Sequence, residues 1–315
     1  MKKKKLDKEL VILGVVVFFS LIIYLGVETY AHSVMHKTVE SEKYEYKDLA
    51  ALSKTGDAVR GKELVTGAGA CTGCHGIESQ GMPAPMDALS AAGAYGVNPP
   101  DLGLSGVLYE EKFLAELIKN PTKALKVEHK FSADSPHPMP GFAGAGGDLD
   151  QEVADMVAYL KSIAPAEYTN KQAFENACAR CHDMRYMKMS GLGDTPKFKF
   201  EKDTLAHKIK ILEYKDHLSA YMGSTPPDLS TIIVARSSSF LTTFIENPQS
   251  HKEGTAMPRV GLTEEGATKV MGYLTESGDP AKDARNSLGW KVVLFFIIFT
   301  VLAYLWKQSV WRKLH

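Results

Sequence analysis

Two stretches decide the fold of this chain: Ala70-Cys-Thr-Gly-Cys-His75 and Ala177-Cys-Ala-Arg-Cys-His182. Each contains the pattern C-x-x-C-H, and together they use all four cysteines of the chain. C-x-x-C-H is the sequence to which haem c is attached: the two thiols form thioethers with the porphyrin, and the adjacent His binds the iron as proximal ligand. The sequence therefore predicts two covalently bound haem c groups, held by Cys71, Cys74 and His75 and by Cys178, Cys181 and His182.

Three other roles for paired cysteines fit the sequence less well. A compact zinc site has its cysteine pairs close together, whereas Cys71 and Cys178 are 107 residues apart and each pair is followed directly by His. A thioredoxin-like redox pair needs a βαβ context, which the sequence does not indicate. Structural disulfides would leave His75 and His182 unexplained. Haem attachment is the interpretation that uses every residue of both motifs.

The overall charge balance hides a difference between two parts of the chain. The 315 residues carry 37 Lys and Arg against 37 Asp and Glu, a formal net charge of zero. Residues 56–165 hold 8 basic and 14 acidic residues, a net charge of −6, whereas residues 166–285 hold 16 of each. No region is basic enough to indicate nucleic-acid binding, and we expect no nucleic-acid partner.

The N-terminal apolar span favours a retained membrane helix. Leu10 to Val27 is a run of 18 residues without charge, and the lysines of Met1–Lys5 precede it. A cleaved signal peptide has a similar basic start, but its apolar run is usually about 7–15 residues long and ends in an A-x-A-like site. This run is longer, and Val27–Ala31 is a poor cleavage site. The sequence therefore predicts an N-terminal transmembrane anchor.

A second apolar span, Val292–Trp306, has 15 uncharged residues near the C-terminus. A run of this length also suits a buried core helix, but Lys291 can extend it because a lysine stem can reach the membrane interface. Interfacial aromatic residues flank the span, namely Trp290, Tyr304, Trp306 and Trp311.

The charges at the two ends predict the membrane topology. Lys307, Arg312 and Lys313 follow the second span, so the positive-inside rule places both termini in the cytoplasm. Covalent haem attachment belongs to the bacterial periplasm or its equivalent. We therefore predict a two-pass protein of the bacterial inner (cytoplasmic) membrane, in contact with membrane lipid, with its haem domains in the periplasm.

The two haem motifs lie inside a duplicated pattern. In each copy P-P-D-L, then N-P, then M-P follow the motif, at 99–102, 120–121 and 139–140 and again at 226–229, 247–248 and 257–258. The aspartate and the asparagine are 19 residues apart in both copies, but the distance from the haem-motif His to the aspartate is 26 residues in the first and 46 in the second. The second copy therefore carries about 20 extra residues before its P-P-D-L.

Each copy is expected to fold as a small helical haem domain. Val153, Met156, Val157 and Leu160 have the spacing of a helix with one apolar face, and Val270 and Leu274 follow a similar pattern. The fold class is therefore mainly α: two tandem cytochrome c-like haem domains flanked by an N-terminal and a C-terminal transmembrane helix. The boundaries are an anchor over 1–30, a linker over 31–55, haem domains over 56–165 and 166–285, and a second anchor over 286–315.

A haem iron used for electron transfer usually has both axial positions filled, and Met opposite His raises its reduction potential. Met139 and Met257 occupy equivalent places in the repeat, each followed by Pro in a loop before the last helix. A lone Met is usually a packing residue, but the shared M-P context favours these two as the iron ligands. The alternatives are His129 and His137 at the first site and His251, Met184, Met187 and Met189 at the second, while Met82 and Met86 are expected to pack.

The second half resembles cytochrome c1, the haem subunit of the quinol–cytochrome c reductase (bc1) complex. The similarity covers roughly residues 170–315 and rests on Cys178-Ala-Arg-Cys-His-Asp-Met-Arg-Tyr186, Pro226-Pro-Asp-Leu-Ser-Thr-Ile-Ile-Val-Ala-Arg236, Met257-Pro258 and the C-terminal anchor. It implies that Cys178, Cys181 and His182 bind haem, that Met257 ligates it, and that Arg236 lies near a haem propionate. Because an additional haem domain, an N-terminal anchor and Met-Pro-Arg-Val are departures from the single-haem pattern, the chain is more similar to the dihaem cytochrome c subunits of some bacterial bc complexes.

This resemblance implies an electron-transfer subunit that is not catalytic alone. Together with cytochrome b and a Rieske iron–sulfur protein, the chain is expected to pass electrons from the Rieske protein to a periplasmic soluble cytochrome c or similar acceptor. One alternative is the dihaem subunit of a cbb3-type terminal oxidase, which does not typically end in such a C-terminal anchor. A catalytic dihaem peroxidase is another, but it needs an open iron site, which M-P at both haems disfavours.

Overall fold

A computed structural model describes residues 8–37 and 41–314. The α-helices, in chain order, are α1 (Lys8–Lys37), α2 (Ala58–Thr66), α3 (Ala88–Tyr95), α4 (Ser105–Leu108), α5 (Glu111–Lys119), α6 (Pro121–Ala124), α7 (Leu149–Ile163), α8 (Asn170–Phe174), α9 (Glu201–Met222), α10 (Ile232–Ala235), α11 (Ser238–Glu246), α12 (Pro248–His251), α13 (Glu264–Gly278) and α14 (Lys282–Leu314). Two short antiparallel strands, β1 (Met189–Ser190) and β2 (Gly193–Asp194), form a hairpin. The prediction of a mainly helical protein is confirmed. The lysine-rich start Met1–Lys5 lies outside the described residues.

The last helix of each copy begins at a side-chain cap and buries one face. The Asp148 carboxylate accepts a hydrogen bond from the Gln151 N–H at the start of α7, and the Thr263 hydroxyl accepts one from the Gly266 N–H at the start of α13. Each cap satisfies a backbone donor that the first helical turn leaves free. The apolar face predicted for α7 is buried, as is Val270 of α13.

The sequence repeat is also a structural repeat. Helices α5, α6 and α7 of the first copy have counterparts in α11, α12 and α13 of the second. An asparagine directly follows each of α5 and α11, Asn120 in the first copy and Asn247 in the second. The proline after each asparagine is the first residue of the next short helix. Proline suits that position because the first turn of a helix needs no N–H from it. The matched elements follow from the matched sequence.

The two copies share one hydrophobic core. Buried residues of the first copy, such as Leu108 and Phe113, pack in the same cluster as Leu262 and Val270 of the second. An antiparallel bridge joins Tyr109 to Leu262.

This junction requires glycine at position 261. Gly261 has a φ of +75°, and a Cβ added there would lie 2.1 Å from the Phe113 ring. Its backbone carbonyl accepts a hydrogen bond from the Glu110 N–H at 2.9 Å. Glycine therefore permits both the backbone conformation and the close approach of the two copies.

The described part of the predicted linker, residues 41–55, packs onto the second copy before the chain enters the first. The Tyr44 N–H donates to Glu246 Oε1 at 2.7 Å, and the Tyr46 hydroxyl donates to the Leu262 carbonyl at 2.8 Å. Tyr44, Tyr46 and Leu49 are all buried. This segment therefore holds the chain that follows α1 against both copies.

The longer stretch between the second motif and its P-P-D-L contains the hairpin and helix α9. Helix α9 packs against α3 of the first copy and buries Tyr214, Leu218 and Met222. At the end of α3, Gly96 adopts a φ of +82°, and a Cβ there would lie 2.4 Å from Tyr221 Cβ. Helix α9 is therefore a second contact between the two copies.

Two of the described helices are long and apolar enough to cross a membrane. They are the segments Lys8–Ala31 and Lys282–Arg312, and none of either apolar window is buried in the protein. The Lys307 ammonium near the end of α14 contacts the Glu9 carboxylate near the start of α1. The beginning of α1 and the end of α14 therefore lie side by side.

Candidate functional site

The first C-x-x-C-H motif forms a tight turn that brings its functional groups together. Cys71–Gly73 is one turn of 3₁₀ helix, entered from Ala70 in the left-handed conformation at φ 49°. The backbone N–H groups of Cys74 and His75 both donate to the Cys71 carbonyl, at 3.1 and 2.9 Å. This turn places two thiols and one imidazole within a single helical turn.

The second motif forms the same turn at the end of a helix. Helix α8 continues through a π-helical turn, Glu175–Ala179, that contains Cys178. The N–H groups of Cys181 and His182 both donate to the Cys178 carbonyl, at 3.0 and 2.9 Å. The arrangement of donor groups is therefore repeated in both copies.

Both motif histidines are oriented by a backbone carbonyl of the P-P-D-L segment. His75 Nδ1 lies 2.8 Å from the Pro100 carbonyl oxygen, and His182 Nδ1 lies 2.8 Å from the Pro227 carbonyl oxygen. A carbonyl can only accept, so Nδ1 carries the proton and Nε2 keeps its lone pair for a metal. Burial lowers the pKa of both imidazoles, which favours the neutral form that binds iron. The sequence contained this segment twice but did not indicate its role.

The aspartate of each P-P-D-L segment closes the loop behind its motif. Asp101 accepts hydrogen bonds from the backbone N–H groups of Glu78 and Gly103, both at 2.8 Å. Asp228 accepts from the N–H of Arg185 at 2.9 Å and of Ser230 at 3.1 Å. Each carboxylate thus ties the turn after the haem motif to the chain that carries the orienting carbonyl.

The cysteine thiols lie in apolar surroundings. Burial raises the pKa of Cys71 and of Cys181, and it raises the pKa of Cys178 to about 12. No disulfide joins any of the four cysteines, and Cys74 Sγ lies 3.7 Å from the Tyr95 hydroxyl oxygen. Apolar walls beside the thiols suit a porphyrin edge.

Two of the histidines considered as alternative iron ligands, His137 and His251, have other partners. The Met139 backbone N–H donates to His137 Nδ1 at 3.1 Å, and His137 Nε2 lies 3.3 Å from the Tyr221 hydroxyl oxygen. His251 Nε2 lies 2.9 Å from Thr243 Oγ1, and its ring packs against Phe240. Both ring nitrogen atoms of His137 are engaged by other groups, and so is Nε2 of His251. These contacts favour methionine as the sixth ligand.

The methionines divide into packing residues and candidate ligands. Met184 and Met189 are buried in the shared core, and Met82 packs in a smaller cluster of the first copy. Met139 and Met257 are half-buried in loops that precede α7 and α13. The two loop methionines therefore occupy equivalent places in the fold, as they do in the sequence.

Arg236, which the resemblance placed near a haem propionate, lies directly after the short helix α10. It is exposed, and its guanidinium lies 5.5 Å from the centre of the Phe240 ring. Arg236 follows the second P-P-D-L segment, whose Pro227 carbonyl orients His182.

A cavity of about 620 Å³ lies where α3, the 130–138 loop and the end of α9 meet. Tyr95, Phe131, Pro138 and Tyr221 line it together with Lys130. Tyr95 contacts the Cys74 thiol, and Pro138 directly precedes Met139. The cavity therefore adjoins the first haem motif on one side and the end of α9 of the second copy on the other.

The residues present fit haem c at both motifs. Each offers two thiols and an imidazole whose Nε2 is left for iron. The same donor set does not form a compact metal cluster: within residues 8–37 and 41–314, no group of three or more His, Cys, Asp or Glu side chains could hold a metal ion. The zinc alternative therefore has no support among these residues.

Two protein families match parts of this chain. Residues 58–164 match the family described as cytochrome c, and residues 259–314 match the cytochrome C1 family. Cytochrome c of Tetrahymena pyriformis is 31% identical over 115 residues, which span 34% of this chain and 90% of that protein. Cytochrome c1 of Rhodospirillum rubrum is 26% identical over 99 residues, which span 31% of this chain but only 29% of that protein.

A solved structure titled hyperthermophilic respiratory Complex III is also similar to part of the chain. The superposition has a TM-score of 0.37 and 22% sequence identity, and it covers 46% of this chain and 75% of that chain. The family assignment rests on the sequence matches. The chain belongs to the cytochrome c family, as an electron-transfer protein that binds haem c covalently and is related in its C-terminal part to cytochrome c1.

Proposed function

We propose that this protein is a membrane-anchored dihaem cytochrome that carries electrons from a Rieske iron–sulfur protein to a periplasmic acceptor, as a subunit of a bc1 complex. The observation that carries the proposal is the repeated donor set. Two C-x-x-C-H turns each have their His Nδ1 at 2.8 Å from the carbonyl oxygen of the second proline of P-P-D-L. The relation to cytochrome c1 supports the partners, which are cytochrome b, the Rieske protein and a soluble cytochrome c or similar acceptor.

Residues 56–165 and 166–285 are the proposed haem domains. Cys71, Cys74 and His75 hold one haem c, and Cys178, Cys181 and His182 hold the other. When bound, haem supplies reversible one-electron chemistry at its iron. The chain supplies the fixed imidazole orientation through Pro100 and Pro227, the apolar thiol surroundings, and Met139 and Met257 as the sixth ligands. Arg236 is proposed to meet an anionic group of the second haem.

Electrons are proposed to enter at the second site and leave from the first. The second copy carries the features similar to cytochrome c1, whereas residues 56–165 carry a net charge of −6. Exposed carboxylates, including those of Glu63, Glu78 and Glu128, contribute to that charge. An acidic surface accelerates the approach of a basic soluble cytochrome through long-range attraction.

The two terminal helices are proposed to span the bacterial inner membrane, with both termini in the cytoplasm and both haem sites in the periplasm. The contact between Glu9 and Lys307 supports this topology because it brings the start of α1 beside the end of α14. We expect alkaline phosphatase fused after His315 to be inactive, since that enzyme folds only in the periplasm. An active fusion would contradict the two-anchor arrangement.

Purification of the native complex tests the proposed partners. A tag on this chain is expected to recover cytochrome b and a Rieske protein, with quinol-dependent reduction of the attached haem. Recovery with the catalytic subunit of an oxidase would instead support the cbb3-type alternative. Carbon monoxide binding to the reduced protein would indicate an open iron site and support a catalytic dihaem protein.

The sixth ligands can be tested one haem at a time. We expect Met139→Leu and Met257→Leu each to remove about half of the weak near-infrared band of Met–iron ligation and to lower the potential of one haem. Met82→Leu, a packing methionine of the first copy, is the control and is expected to keep the whole band. An unchanged band and potential in either ligand variant would show that its methionine does not bind iron.

A further inference from the structure

Arg180 belongs to the second haem motif, but its side chain contacts the first copy. It lies between Cys178 and Cys181, and its Nη1 donates to the Asn98 carbonyl at 3.3 Å. Its Nε is buried without a hydrogen-bond partner among the described residues. An arginine inside one haem motif is therefore fixed by backbone that belongs to the other.

The contacted backbone leads directly to the first motif histidine. Asn98 precedes Pro99 and Pro100, and the Pro100 carbonyl oxygen lies 2.8 Å from His75 Nδ1. Proline fixes φ, so the two prolines form a stiff connection between Asn98 and Pro100. A displacement of Asn98 is therefore transmitted to the carbonyl that orients His75.

Helix α9 of the second copy holds this contact in place. The Tyr214 hydroxyl of α9 donates to the Arg180 carbonyl at 2.7 Å, and the Asn98 N–H points to the same hydroxyl at 3.5 Å. Tyr214 is 2% exposed, and a Cβ at Gly191 would lie 2.2 Å from its ring. Tyr214 therefore joins both copies at the point where Arg180 crosses between them.

The guanidinium also places a positive charge near both sites. Arg180 lies in the sequence between Cys178 and Cys181 of the second motif. Its Nη1 reaches the Asn98 carbonyl of the first copy, two residues before the Pro100 carbonyl that contacts His75. A nearby positive charge disfavours the oxidised, more positive state of an iron centre and therefore raises its reduction potential.

We propose that Arg180 is a positioning residue shared by the two haem sites: it holds the Asn98–Pro100 segment that orients His75, and its charge raises the reduction potential at both sites. The proposal rests on the proposed function only in requiring that both motifs carry haem c. It assigns to α9, and to Tyr214 in particular, the role of keeping the two sites in a fixed relation.

A redox titration of the purified holoprotein tests this role. We expect Arg180→Leu to lower the reduction potential of both haems. At a fixed applied potential, the ratio of reduced to oxidised haem should fall about fivefold at each site. Fivefold corresponds to about 40 mV for a one-electron couple, for which tenfold is about 59 mV. Arg180→Lys keeps the charge and is expected to shift both components less.

Arg185→Leu is the matched control. Arg185 lies just after the second motif, its side chain is 74% exposed, and its Nε lies 3.4 Å from Asp228. Removing this charge is expected to shift the potential of at most one haem, because its Nε pairs with Asp228 of the second copy. If Arg180→Leu shifted the reduction potential of only one haem, or of neither, while both haems stayed attached, the shared role would be wrong.

Haem mapping covers the case in which Arg180→Leu loses haem. Mass analysis of the peptides that contain each motif then reports which site is empty. Loss at Cys71 and Cys74, whose sequence is unchanged, would support the proposal, whereas loss only at Cys178 and Cys181 would contradict it. Arg180→Gln, which retains a donor for the Asn98 carbonyl, is expected to restore attachment at the first site. One haem per chain in the parent protein would refute the proposed function itself, before any variant is compared.

Discussion

The double substitution Cys71→Ala with Cys74→Ala is expected to abolish transfer to the soluble acceptor while quinol still reduces the haem at His182. Without thiols the first site cannot hold haem c covalently, so the last carrier before the acceptor is lost. The second site should survive, because its turn is held by its own Cys178 carbonyl and Asp228 contacts. Stopped-flow spectroscopy of the purified complex, with quinol and then acceptor, measures the two steps separately.

A variant that keeps both haems separates loss of the carrier from loss of the acidic surface. In the triple variant Glu63→Gln, Glu78→Gln and Glu128→Gln, acceptor reduction should be slower than in the parent protein at low salt. Near 1 M salt, where the screening length is about 3 Å, the two rates should match. The double cysteine variant should be slow at every salt concentration. Normal acceptor reduction without the first haem would contradict the series order and leave that domain a bracing or shielding role.

Arg259→Leu is expected to destabilise the protein by about 2–3 kcal/mol, because it removes a buried guanidinium that joins three parts of the chain. Arg259 Nε donates to the Ala124 carbonyl at 2.8 Å, and Nη1 lies 2.7 and 2.8 Å from the two Asp48 oxygens. The expected loss of stability is smaller than for a fully buried ion pair because the Asp48 side chain is 44% exposed. Arg259 is also two residues after Met257, so we expect weaker Met–iron ligation at the second site. A thermal scan and the near-infrared band measure the two effects.

Arg285→Leu is the control for this substitution. Arg285 makes a similar pair with Asp279, at 2.8 and 2.6 Å, but its side chain is 62% exposed. Exposed pairs contribute about 0–1 kcal/mol, so this variant should unfold close to the parent temperature. Equal destabilisation in the two variants would mean that burial of Arg259 is not the cause.

The Asp48 contact also predicts how the Arg259 effect depends on pH. Burial alone would raise the pKa of Asp48, but the hydrogen bond and charge of Arg259 hold it below its usual range. Because the pKa of Asp48 is lowered in the folded protein, ionised Asp48 stabilises the fold at pH values above its unfolded pKa of about 3.9. This stabilisation is lost as the pH falls through the pKa of Asp48 in the folded protein. The stability difference between parent and Arg259→Leu should therefore be full at neutral pH and shrink in acid.

The motifs and the repeat could be predicted from sequence because both are local signals. C-x-x-C-H lies within five residues, and the apolar face of α7 follows from a 3.6-residue period. The N-P and M-P pairs recur at matched positions, which pointed to Met139 and Met257. The cytochrome c match over residues 58–164 confirms the cytochrome c character of the first copy.

The contacts between the two copies could not be predicted, because they join residues far apart in sequence with no periodic pattern. The bridge from Tyr109 to Leu262 and the hydrogen bond from Tyr44 to Glu246 are of this kind. The longer distance from His182 to its P-P-D-L is visible in the sequence, but the packing of α9 against α3 depends on Tyr214 and Gly96, which no motif marks. Arg180 was likewise visible only as a variable position inside C-x-x-C-H.

The most direct test of the central claim is the number of haem c groups attached to each chain. Intact mass of the denatured protein, together with the pyridine haemochrome spectrum, reports covalent haem independently of any partner. We predict two haem groups in the parent protein, and one in Cys178→Ala with Cys181→Ala, retained on the peptide that contains Cys71 and Cys74. A parent chain with a single covalent haem would contradict the dihaem account.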